Sequence, residues 1–138
     1  MLLGKSSSPK LAAMVSAQTP WGIVQHLHKL ADENRLPSGL AFHPHEWGDF
    51  LLWSGPQRMQ VFATSQPHSL PSEVWSDYLS IINGAFEWES QLDRYGVNLV
   101  ILDDAQHYKL IDQFAKSESW QRTYSDSVGT VFVRRKLI

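Results

Sequence analysis

Two short stretches carry the residue types that do chemistry in other proteins. His43-Pro44-His45-Glu46 sets two imidazoles and a carboxylate within four positions. Such groups move protons near neutral pH or ligate a borderline cation. Asp103-Asp104 places two carboxylates directly after the apolar run 97–102, and paired hard oxygens of this kind hold Mg²⁺ in phosphate-handling sites. Trp47 follows the first stretch, and Thr64 closes a second apolar run. The candidate ligand-binding set is therefore His43, His45, Glu46, Trp47, Thr64, Asp103 and Asp104.

Each member also has a plainer reading. The His-Pro-His-Glu spacing matches no helix-borne pair at i, i+3 or i+4, and it suits a rigid polar turn that opens a helix. One aspartate of the pair suits the cap of a helix starting at Ala105, where the helix dipole favours an anion. His26 and His28 stand two apart in a helical segment and so point to different faces. No phosphate-binding Gly-rich loop, dinucleotide fingerprint or nucleophile elbow accompanies these groups. The expectation is no catalytic residue, no metal site and no cofactor.

The elements that must position these residues follow from periodicity. Thr19-Pro20 reads as a helix start, with Thr19 as cap and Pro20 at the first helical position. Ile23, Val24, Leu27, Leu30 and Ala31 then recur at helical spacing. Residues 39–43 form a short strand that delivers His43 and His45 to its end, residues 46–53 a helix stopped by Gly55-Pro56, and residues 59–64 a second strand. A helix capped by Ser72 runs to Asn83-Gly84, and another spans 87–95, ending at Gly96 where a left-handed residue is favoured. Residues 97–102 are the most apolar strand, hence central. A helix over 105–116 and an antiparallel hairpin of 120–124 with 130–135 complete the chain. The alternation predicts an α/β fold: a three-layer αβα domain whose mixed sheet combines parallel strands with a C-terminal antiparallel hairpin.

At 138 residues the chain has room for one domain, assigned to 19–138, with 1–18 a Ser-rich flexible linker or truncated connection. Lys plus Arg number 12 and Asp plus Glu 14, which leaves no basic excess for nucleic acid. The absence of cysteine removes disulfide scaffolds, zinc ribbons and thiol nucleophiles together. No apolar run approaches the about 20 residues of a membrane span. Six tryptophans, at 21, 47, 53, 75, 88 and 120, suit packing of helices on a sheet. An aromatic sugar- or lipid-facing platform at Trp47, Trp53 and Trp75 is the sharper alternative.

Several stretches together carry a family resemblance: Asn34-Arg35-Leu36-Pro37, Glu46-Trp47-Gly48-Asp49-Phe50-Leu51-Leu52-Trp53, Val74-Trp75-Ser76-Asp77-Tyr78, Leu92-Asp93-Arg94-Tyr95-Gly96-Val97 and Val131-Phe132-Val133-Arg134. Over residues 20–135 the chain resembles the C-terminal extramembrane domain of bacterial polytopic membrane proteins similar to lipid-linked-sugar-dependent, protein-mannosyltransferase-like glycosyltransferases. The resemblance implies a non-catalytic accessory role, positioning an acceptor or stabilising the membrane-spanning part. It also implies a place on the extracytoplasmic, periplasmic face of the inner membrane, with that membrane-spanning part as partner and a lipid-linked sugar or acceptor nearby. Relatives often carry Val-Phe-x-Asp-x-Arg where this chain has Val61-Phe62-Ala63-Thr64-Ser65-Gln66; the acid–base pair of that loop is thus replaced by Thr64 and Gln66. The alternative is a stand-alone α/β protein that binds a small ligand or metal, or acts as a hydrolase, at the strand ends.

Overall fold

The computed structural model describes residues 19–64 and 69–136. The expected linker at 1–18 and Gln66 lie outside the described residues. In chain order the elements are α1 (Trp21–Asp32), β1 (Leu40–Phe42), a 3₁₀ turn (His45–Trp47), α2 (Gly48–Ser54), β2 (Gln60–Val61), α3 (Ser72–Ile82), α4 (Trp88–Arg94), β3 (Leu99–Asp103), α5 (Tyr108–Lys116), β4 (Trp120–Ser125) and β5 (Gly129–Arg134).

The strands form one sheet in the order β2-β1-β3-β5-β4. β1 pairs in parallel with β2 and β3, while β5 runs antiparallel to β3 and β4. The apolar run around 97–102 is central, as its composition predicts, because a strand covered on both faces must be apolar at successive positions. Side chains alternate cleanly. Ala41, Leu99, Ile101 and Val131 enter one core with Ile23, Leu27 and Leu51 of α1 and α2. Phe42, Val100, Leu102 and Phe132 enter the other with residues of α3, α4 and α5, among them Ile81, Leu92 and Phe114. Two cores back to back on one sheet make the three-layer αβα arrangement.

Several boundaries differ from the sequence expectation, each for a local reason. Pro20 is the cap of α1 rather than its first residue, and the Trp21 amide turns back to the Thr19 carbonyl at 2.8 Å. Ser72 lies inside α3, after the Pro71 cap. The helix expected from Glu46 opens as the 3₁₀ turn and becomes α-helical at Gly48, which is buried against the backbone of Ala63 and Thr64. β2 is two residues long: the Phe62 amide divides itself between the Ala41 carbonyl and the His43 ring, and the Ala63 amide turns to that ring alone. Helix α5 starts three residues late, at Tyr108, because Asp103 draws the amides of Ala105 and Gln106 into a turn of their own. Gly96 does take the left-handed conformation, at φ 65°.

Candidate functional site

The connection leaving β1 goes to the α1–α2 layer, whereas the one leaving β3 goes to the α5 layer. Diverging connections open a crevice beyond the strand carboxyl ends, where open α/β sheets bind ligands. His43, His45, Glu46 and Trp47 come to it from β1, and Asp103 and Asp104 from β3.

His43 is fully buried, and both its ring nitrogens are used inside the protein. Nδ1 lies 2.8 Å from the Pro44 carbonyl oxygen, and Nε2 accepts the amides of Phe62 at 3.1 Å and Ala63 at 3.4 Å. The ring thus carries its proton on Nδ1 and continues the β1–β2 ladder past its last main-chain bond, from Phe62 N to the Ala41 carbonyl at 3.0 Å. Burial, the dominant cause, lowers its pKa to about 4 and keeps it neutral at physiological pH.

His45 and Glu46 stay half-exposed and meet through Nδ1 and Oε1 at 3.0 Å. The His45 amide donates to the Tyr78 hydroxyl, which in turn donates to the His43 carbonyl at 2.9 Å. Tyr78 stacks on Trp75, with ring centroids 5.0 Å apart and planes within 7°, and the His45 ring meets Trp75 edge-on. This turn is therefore held from the α3 side by an aromatic pair that the local sequence around His45 does not announce.

The aspartates diverge. Asp103 Oδ1 receives the amides of Ala105 at 2.8 Å and Gln106 at 3.3 Å, and Oδ2 the Gln106 side-chain amide at 3.2 Å. Asp104 accepts the Thr130 hydroxyl at 2.8 Å, and its amide donates to the Val128 carbonyl at 3.0 Å. One carboxylate thus builds a turn and the other fastens β3 to the hairpin. Trp47 packs in the α1–α2 core, where a methyl on Gly129 would lie 3.2 Å from its ring. Thr64 sits beyond β2, beside Gly48, two strands from Asp103.

The structure adds His107, four residues after Asp103. Its Nδ1 accepts the Asp103 amide at 3.3 Å, and its own amide donates to the Asp103 carbonyl at 2.8 Å. Burial lowers its pKa, while Asp103 and Glu46 act in the opposite sense. A histidine four residues past an Asp that opens a turn is a readable signal. Tyr78, distant in sequence from His43 and His45, leaves none. Among the described residues no three His, Cys, Asp or Glu converge to hold a metal ion, and no helix is long and apolar enough to cross a membrane.

The fold defines the class: a three-layer α/β domain with a mixed five-stranded sheet. A scan against protein-family models finds no match, and searches of curated proteins and of solved structures find none either.

Proposed function

We propose that this chain is a non-catalytic accessory module of a glycosyltransferase-like membrane protein, where it positions an acceptor or supports the membrane-spanning part on the periplasmic face. The observation that carries the non-catalytic half is the use of the polar groups at the strand ends. His43, Asp103 and Asp104 each spend their side chains on main-chain amides, a carbonyl or a buried hydroxyl. Groups committed in this way fix loops; a general base must instead reach the proton of a substrate. The membrane half rests on the sequence resemblance over residues 20–135.

The test is an immunoblot of the native cells with an antibody raised against this domain. A membrane-fraction band far above 15.7 kDa is expected. A band at the mass of the chain alone, in the soluble fraction, would overturn the reading.

A second reading draws on one contact, His45 Nδ1 to Glu46 Oε1 at 3.0 Å, placed at the topological switch point. There the carboxylate orients the ring, and the chain is a self-standing small-ligand or hydrolytic protein. Loss of ligand binding or turnover in Glu46→Gln, with unchanged folding, would favour it.

A further inference from the structure

Phe86 is fully exposed, yet its placement is not slack. The Ala85 amide donates to the Ser80 carbonyl at 3.0 Å, and the Trp88 amide to the Ala85 carbonyl at 3.0 Å. Those bonds tie the α3–α4 turn on both sides of Phe86, and the Trp88 ring just beyond is buried against Phe114. The turn thus holds a large apolar ring in water. Leu79, 40% exposed, lies on the outer side of α3 in line with exposed Ser72, Ser76 and Asn83 at helical spacing. With 11 residues, α3 is about 16 Å long and runs directly into the turn that carries Phe86.

A single exposed apolar residue is ordinary; here two lie along one strip whose flanking charge is predominantly negative. The α3–α4 unit carries Glu73, Asp77, Glu87, Glu89 and Asp93 against the single cation Arg94. Asp77 accepts the Tyr95 hydroxyl, Glu89 the Ser117 hydroxyl, and Asp93 pairs with Arg134. The carboxylates of Glu73 and Glu87 have no such partner among the described residues. They stand at the two ends of the strip. Glu73, in the first turn of α3, lines an open groove of about 500 Å³ with Asp77 and Arg94, and Glu87 follows Phe86.

This pattern selects among occupants. A second copy docked symmetrically here would set carboxylate against carboxylate, and an anionic lipid surface would be repelled in the same way. A polycation without apolar groups would leave Leu79 and Phe86 in water. We propose that the outer face of α3 and the Phe86 turn form a docking surface for a basic amphipathic helix, whose apolar side covers Leu79 and Phe86 while its Lys or Arg residues meet Glu73 and Glu87. The surface does not require the membrane assignment, because the chain itself contains every group named.

The probe is a synthetic three-turn helical peptide of leucine and lysine, titrated into the ¹⁵N-labelled chain. One control peptide carries glutamate for every lysine, and a second carries serine for every leucine. The basic amphipathic peptide should shift the amides of residues 72–87 saturably, and neither control should. Vesicles of phosphatidylglycerol, a separate arm, should leave these amides in place. Phe86→Ser, at a fully exposed position, should weaken binding about tenfold while leaving the remaining amide spectrum unchanged. Glu73→Gln combined with Glu87→Gln, both exposed, should weaken it about fivefold and remove most of its salt dependence. Shifts centred instead on exposed Leu52 and Trp53 of α2, equal binding of either control peptide, vesicle binding through the same amides, or full affinity in both variants would overturn the proposal. The immunoblot above is indifferent to these outcomes, so the two readings fail separately.

Discussion

Protonating His43 means taking Nε2 away from the amides of Phe62 and Ala63 inside the protein. The folded ring titrates at about 4 and an unperturbed one at 6.5. Between those values the unfolded chain holds a proton that the folded one lacks, so stability rises with pH through that window. The contribution is complete above the upper value and lost by the lower one, and amounts to about 3 kcal/mol. Urea melts from pH 7 to 4 should show this slope, and His43→Gln, whose carbonyl oxygen can accept the same amides, should flatten it. A slope that survives the substitution belongs to His26 and His107, whose pKa values burial also lowers, and near pH 4 to Asp126, whose hydrogen bonds outweigh burial and hold its pKa down. For Asp103→Ala, loss of the turn acceptor should cost about 1 kcal/mol, with no change in affinity for Zn²⁺ or Mg²⁺ by calorimetry.

At the scale of elements, glycines separate packing from conformation. A methyl on Gly48 would overlap the main-chain carbonyl of Ala63, so α2 and the end of β2 cannot both stay in place. Gly48→Ala should lose about 3 kcal/mol in chemical denaturation. Gly96 has φ 65° and nothing within 4 Å of where its methyl would be, so Gly96→Ala carries only the conformational cost, about 1 kcal/mol. Equal losses at both sites would show that the α2–β2 contact yields. The same close approach seats the start of α2 against the chain leaving β2. A pattern of side-chain types carries no information on a backbone arriving from Ala63.

Across the whole molecule, protection should follow the sheet order. Leu99 to Leu102 of β3 are at most 2% exposed and all pair with β5, Leu99 and Val100 with β1 as well, whereas β2 is a two-residue edge. Hydrogen exchange should be slowest in β3 and β5 and fastest in β2. Exchange in β2 as slow as in β3 would indicate that another segment or partner covers that edge. The six tryptophans divide by depth: Trp88 and Trp120 are 8% and 2% exposed, and Trp53 is 58% exposed. The inner pair packs around Phe114. Spacing alone does not distinguish a tryptophan that seals a helix onto the sheet from one that faces water.

The sequence by itself determined the order of helices and strands, the centrality of the 97–102 run, the antiparallel hairpin and the left-handed Gly96. Those features depend on local periodicity, apolar content and turn chemistry, which neighbouring residues specify. Only the tertiary structure decided that His43 serves as a ladder acceptor, that Asp104 fastens β3 to the hairpin, and that Tyr78 belongs to the strand ends. It also decided that the Gln113 side chain of α5 packs against Gly84 at the end of α3. Each of these depends on groups that meet through hydrogen bonds or packing from separate segments, and such meetings are set by how helices cover the two faces of the sheet.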